Sequence, residues 1–324
     1  MQLREGTAIF VRGNGDVQVG LGKKSAVVTG LDAAEQSYLQ SLKFRSSNCA
    51  TEARARKRNI PKSRIDAIRS LLTKKELTQL GLETESTPDS QRLMRRDGTT
   101  NALARREDVR LDIAVFSCGD PTQFLKVKPF VSALATSLRG ASITRVGLKY
   151  HGDDMGGSSR TALHEAVGLG KPMGSEPHFV VALFTRASSS SLIHVWQEAG
   201  IPVLSVVFNE DSVQVGPVER AGSSPCLECI DRNLRDLEPE WPALQIQCRN
   251  QPFPSLSSDL MRTAAMMTAR LVANEVDGYG LPAGEVRFVD ENFLFDRFRW
   301  PAHPNCSCSG LPASVQTAEA TVQA

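Results

Sequence analysis

Two closely spaced cysteine pairs, Cys226-Leu227-Glu228-Cys229 and Cys306-Ser307-Cys308, stand near the end of this chain with 76 residues between them. A tetrahedral zinc site needs four soft ligands, and two such pairs brought together by the fold supply them. If they share one ion, the 76 residues between them must leave and return to one point. Each pair lies beside turn-forming residues, Ser224-Pro225 and Pro304-Asn305. A shell of four thiolates keeps no position open for water, so the expected metal is structural Zn2+ and not catalytic. A redox dithiol at the CxxC and plain inert cysteines are the competing readings. His303 could ligate, but four cysteines already fill the shell, and Pro304 after it suggests a turn. Cys49, Cys118 and Cys248 have no neighbour in sequence and read as buried and inert.

At 324 residues the chain has room for two domains. Its net charge of +2 predicts no general affinity for nucleic acid or membrane. No apolar run approaches the roughly 20 residues that span a bilayer. Met1 to Arg12 lacks the basic-then-apolar pattern of a signal peptide. The expected setting is therefore cytoplasmic, where unpaired cysteines point to metal or catalysis and not to disulfides.

Residues 1–82 read as a winged helix-turn-helix of three strands and three helices. Thr7–Arg12 and Asp16–Gly20 alternate in polarity around Gly13-Asn14-Gly15-Asp16, where Asn-Gly predicts a type I′ hairpin turn. Ser25–Thr29 is the third strand, closed by Gly30. Asp32 can cap a helix carrying Leu39 and Leu42. A second helix covers Asn48 to Arg58, and a third starts at Pro61 with Ile65, Ile68, Leu71 and Leu72 on one face. Between Lys43 and Glu76 there are eleven Lys or Arg against three acids, a local charge of +8. DNA binding is one use of such a unit. Another is capture of an extended peptide as an added strand beside Ser25–Thr29, packed against the third helix. The third reading is a solvated charged face.

Residues 83–108 are polar and charged, and read as a linker. From 109 to 310 strands and helices alternate. Leu111–Ser117, Ile143–Leu148, Phe179–Phe184 and Pro202–Phe208 are strands, with helices near Val127–Leu138, Thr161–Val167 and Ser190–Ala199. This alternation predicts an α/β domain with a mostly parallel sheet covered on both faces, followed by a further strand at Ser212–Val218. In such a fold a nucleotide binds at the glycine-rich loop after the first strand. Here that loop is Ser117-Cys118-Gly119-Asp120-Pro121, with one glycine where the fingerprint needs three. The acid expected after the second strand is replaced by Gly147-Leu148-Lys149-Tyr150. Asp153 and Asp154 lie a little further on. No ATP is expected.

Pro239 and Pro242 interrupt the segment Leu234–Gln247. Ser258 is expected to cap a helix over Asp259–Glu275, whose methionines read as core. Val286–Val289 and Asn292–Arg299 read as strands offering Phe288, Phe293, Phe295 and Phe298 for packing. Residues 311–324 are small and polar, a disordered tail.

The run Val215-Gly216-Pro217-Val218, then Ser224 to Asp231, then Asp236 to Leu244, resembles ThiF-like proteins of thiazole/oxazole-modified peptide clusters. His303-Pro304-Asn305-Cys306-Ser307-Cys308 is similar to that family's HPxCxC ending, and the N-terminal unit is similar to its peptide-clamp domain, the RiPP recognition element. The resemblance implies a degenerate Rossmann-like domain and a role as a non-catalytic scaffold. Such a protein binds the leader of a ribosomal precursor and presents the core to a separate YcaO cyclodehydratase for azoline formation. By position, Cys226, Cys229, Cys306 and Cys308 match zinc ligands. Ser25, Val27, Val28 and Thr29 with Arg64, Ile65, Ile68 and Leu72 match the leader cleft, where Arg64 and Arg69 would attract acidic leaders. ThiF-like sheets often pair, which makes a homodimer an expectation. An ATP-dependent adenylating enzyme of the ThiF type and a zinc-stabilised winged-helix regulator are the alternatives.

Overall fold

A computed structural model describes residues 2–4, 6–43, 48–79, 88–97, 101–116, 126–151, 167–169, 176–249 and 251–309. The chain forms two compact units, Met1–Thr100 and Asn101–Ala324. No helix among the described residues is long and apolar enough to cross a membrane.

In the first unit, β2 (Ile9–Val11), β3 (Val17–Val19) and β4 (Ala26–Val28) form an antiparallel sheet in the order β2-β3-β4. The turn differs from the type I′ expectation. Gly15 alone takes a positive φ, of 86°, and Asn14 does not. The side chain of Asn14 explains this: its Oδ1 accepts from the Asp16 N–H, an Asx turn, while Gly15 N–H closes on the Arg12 carbonyl. A short pair that the sequence did not suggest, β1 (Gln2–Leu3) with β5 (Thr78–Gln79), joins the ends of the unit.

The helices are α1 (Ala33–Ser41), α2 (Asn48–Lys57) and α3 (Lys62–Lys74). Asp32 and Glu35 form a capping box at the start of α1. Glu35 then accepts from Arg64 Nε at 2.8 Å, and Arg64 reaches the carbonyls of Thr29 and Gly30 at 3.0 and 2.9 Å. One buried carboxylate thus fixes α1, α3 and the end of β4 together. Val17, Val19, Ala26, Tyr38, Leu39, Ile65, Ile68 and Leu72 fill the core behind it.

The segment 83–108 is not a bare linker: it carries α4 (Pro88–Asp97) and α5 (Asn101–Asp108). Low apolar content misled because α5 is anchored by a charge. Arg106 is fully buried and forms a bidentate pair with Asp277, at 2.9 and 2.7 Å, while donating to the Ala141 carbonyl.

The second unit is built on a seven-stranded sheet in the order β12-β11-β10-β9-β8-β6-β7. β6 (Arg110–Phe116), β7 (Arg145–His151), β8 (Phe179–Thr185) and β9 (Val203–Phe208) run parallel. β10 (Ser212–Glu219), β11 (Glu285–Asp290) and β12 (Phe295–Arg299) add antiparallel, so the sheet is mixed and not mostly parallel throughout. Three residues join β9 to β10 and four join β11 to β12, too few for the crossover that a parallel neighbour requires.

Helices α6 (Lys128–Gly140) and α10 (Ser258–Val276) cover one face, with Ile113, Val115, Leu134 and Val272 between them. Helices α7 (Ser190–Glu198) and α8 (Leu227–Leu237) cover the other, over Ala114, Phe184, Trp196 and Ile230. Helix α9 (Trp241–Arg249) follows α8 after a break at Glu238–Glu240. Ser257, one residue before the expected Ser258, caps α10 by accepting from Leu260 N. Of its methionines Met261 is core and Met266 is exposed.

Breaking a buried ion pair from one side strands the other charge, at a cost of about 3–5 kcal/mol. Asp277→Ala is expected to destabilise the second unit by that amount in chemical denaturation. The paired change Arg106→Met with Asp277→Leu is expected to recover most of it.

Candidate metal centre

Cys226 is the N-cap of α8 and Cys229 lies in its first turn, so their sulfurs sit on the same side of the helix start. The second pair arrives from the segment after β12. Gly284 makes that return possible: at φ +74°, a Cβ there would lie 2.3 Å from Pro225 Cγ and 2.8 Å from the Trp300 carbonyl oxygen. Trp300 N–H donates to the Gly284 carbonyl at 3.0 Å. The chain entering the CxxC and the chain heading for the CxC therefore cross at one glycine.

The four sulfurs all lie within 4.8 Å of one another. Cys226–Cys306 is 3.7 Å, Cys226–Cys229 is 3.9 Å and Cys229–Cys308 is 3.4 Å. A metal–sulfur bond of about 2.3 Å gives a tetrahedral edge of about 3.8 Å, so the quartet is close enough to hold a metal ion. The Cys229 N–H points to Cys226 Sγ and the His303 N–H to Cys229 Sγ, and Ser224 Oγ lies 3.3 Å from Cys308 Sγ. Burial pushes the Cys226 thiol well up, and the Cys229 thiol up to about 11. A cation at the centre would supply the charge that lets all four ionise.

His303 does shape the turn. It is buried, its Nδ1 accepts from the Asn305 N–H at 3.1 Å, and its Nε2 lies 3.0 Å from Asp236 Oδ2. Cys248 is half-buried in α9, while the side chains of Cys49 and Cys118 lie outside the described residues.

At the nucleotide position, the loop Ser117–Pro121 and Asp153 and Asp154 also lie outside the described residues. The strand ends around them are described. The crevice of such a sheet opens where strand order reverses, here between β6 and β8. At the carboxyl ends of those strands Phe116 and Phe184 stack with centroids 4.9 Å apart. His151 stacks on Phe116 at 4.8 Å, and Trp196 meets both edge-on. Lys149 turns inward to Asp112 at 2.8 Å.

The residues expected at the peptide cleft divide into two sets. Ser25 and Val27 are half-buried and Thr29 is exposed along β4, while Val28 faces the core. Ile65, Ile68 and Leu72 are core residues with 6%, 2% and 0% exposure, so they support β4 from behind and do not line an open groove. Arg64 is spent on Glu35 and two carbonyls, and Arg69 pairs with Glu52 at 3.4 Å. Neither is a free cation for attracting a leader. The spacing that marks a helix face does not say whether the face meets a core or a ligand.

β4 has a free edge among the described residues. Hydrogen bonds from Gly20 to Ala8 and from Arg12 to Asp16 set the alternation, so that Gln18 faces β2 and Val17 and Val19 face β4. Val17 and Val19 pair with Val28 and Ala26, which leaves the N–H and C=O of Val27 directed outward.

No family model and no curated protein matches this sequence. Solved structures do share its fold. A heterocyclase in complex with substrate and cofactor gives a TM-score of 0.59 at 17% identity, over 95% of this chain and 39% of that one. The heterocyclase TruD gives 0.60 at 16%, over 95% and 42%. E. coli MccB with AMPCPP and selenomethionine MccA gives 0.59 at 15%, over 96% and 99%. This chain therefore spans about two-fifths of the heterocyclases and nearly all of MccB.

Cys306→Ser is expected to lower bound zinc from one per chain to near zero and to reduce thermal stability and solubility. His303→Ala is expected to keep one zinc per chain under saturating metal. Metal analysis of the two purified variants distinguishes ligand from turn-former.

Proposed function

We propose that this chain is a non-catalytic scaffold in the biosynthesis of ribosomal, azoline-modified peptides, with structural zinc at its four cysteines. It binds the leader of a precursor peptide along β4 and presents the core to a separate YcaO cyclodehydratase in the cytosol. The observation that carries the reading is the open edge of β4, with the Val27 N–H and C=O directed outward and the core of α3 holding the strand from behind. An added strand gains main-chain hydrogen bonds there, and the alternate side chains of the leader supply selectivity. The likeness to two longer heterocyclase chains, of which this chain spans about two-fifths, agrees with this. Basic side chains other than Arg64 and Arg69 provide any electrostatic steering, which salt weakens.

A specific observation favours a second reading, an adenylating enzyme: MccB, of nearly equal length, has the same fold and has been crystallised with AMPCPP and with ATP. Against it stand the single glycine in the loop Ser117–Pro121 and the aromatic packing at the crevice mouth.

The test is fluorescence anisotropy of a labelled leader from a neighbouring precursor gene. Saturable binding at micromolar affinity or better is expected. Val27→Pro removes the outward N–H without touching the β3–β4 ladder, and is expected to weaken binding about tenfold or more. ATP–pyrophosphate exchange by the purified chain, with no leader binding, overturns the scaffold in favour of the adenylating enzyme.

A further inference from the structure

A cleft of about 670 Å³ opens beside the cysteine centre, between α7, the turn after β10 and the CxC segment. Glu219, the last residue of β10, lines it and is 2% exposed. Its Oε2 accepts from Gln197 Nε2 at 3.1 Å, and the Leu227 N–H lies near the carboxyl, while Oε1 makes no hydrogen bond of ordinary geometry.

A buried carboxylate ordinarily has a cation beside it, because desolvating the bare charge costs several kcal/mol. Glu219 has none within ion-pair distance among the described residues. The next residue, Arg220, turns away to a bidentate pair with Glu275 and to the Leu281 carbonyl. Arg232 pairs with Glu228, and His194 with Glu198. The two arginines at the cleft are thus already matched, which leaves Glu219 without a cationic partner of its own. Three of the four cysteines line the same cleft, and four thiolates around a divalent ion carry a net charge of −2. Burial pushes the Glu219 carboxyl up to about 7, as the charge excess requires.

We infer that this cleft binds a primary alkylammonium group, with Glu219 as its carboxylate anchor. A second metal ion does not fit, because the four cysteines are the only candidate metal cluster among the described residues. A quaternary ammonium does not fit either: it has no N–H to donate and relies on the faces of Trp, Tyr or Phe, none of which lines the cleft. A primary ammonium has three donors, and the lining offers it the Glu219 carboxylate with the hydroxyls of Ser190, Ser191 and Ser223 as further acceptors. The group could belong to a free amine or to a lysine side chain. This site is separate from the β4 edge and does not depend on the scaffold reading.

The experiment is an NMR titration of the zinc-loaded full chain with n-butylamine and with Nα-acetyl-lysine methylamide, using 1-butanol as the uncharged control. Saturable shifts at cleft residues are expected with the amines and not with butanol. Glu219→Gln keeps the size and the Gln197 contact and is expected to weaken amine binding about tenfold or more at unchanged zinc content. Ser191→Trp, which fills the cleft from α7, is expected to abolish it. Binding of both amines points to a lysine side chain as the natural occupant, and binding of butylamine alone to a free amine. Absence of saturable amine binding, or equal binding by Glu219→Gln, overturns the site.

Discussion

Four thiols lie within 4.8 Å of one another, close enough to hold a metal ion, and the end of the second unit is built around that cluster. Helix α8 begins at the cluster, the hairpin of β11 and β12 leaves from beside it, and the chain returns past Gly284 to close it. Buried and hydrogen-bonded partners hold each approach: His303 behind the CxC, and Asn233, whose amide bridges the Cys229 and Pro301 carbonyls. The organisation is economical in apolar area. A single ion can take the place of a core that this short segment has too few buried side chains to build.

How much the sequence reveals depends on whether the signal is local. Strands β8 and β9 stand out because both faces are buried, and their runs are apolar throughout. The cysteine quartet is legible because spacing and softness leave few other uses. Long-range satisfaction of charge is not legible. Arg106 sits in a polar stretch that reads as linker, and nothing nearby points to Asp277, 171 residues away. The pairing of Arg64 and Arg69 is hidden for the same reason, since a basic helix reads identically whether its guanidinium groups meet solvent or close a network. Glu219 carries no sequence signal at all. Only the fold shows that this one glutamate ends a strand in a buried place with no counter-ion among the described residues.

The two units illustrate different ways of using a sheet edge. In the first, β4 is short, held from behind by α3 and capped by Arg64, so its outward backbone is displayed in a fixed register. In the second, β7 closes one side of the sheet and the paired strands β11 and β12 extend the other. Buried aromatic rings stand at the ends of β6 and β8, beside the place where a doubly wound sheet most often receives a ligand.

The hairpin of β11 and β12 has a colloidal consequence. Of the four phenylalanines expected to pack, Phe288 is half-buried but Phe293, Phe295 and Phe298 are 45–62% exposed, and all five residues of β12 are exposed. An aromatic strand with an open edge is a template for sticking to copies of itself. What opposes this is written into the same five residues. Asp296, Arg297 and Arg299 interrupt the apolar run, and Arg297 sits at the middle of the strand, where two copies meeting head to tail would bring like charges together. Repulsion between these charges opposes self-pairing of the strand, and salt that screens them weakens that opposition.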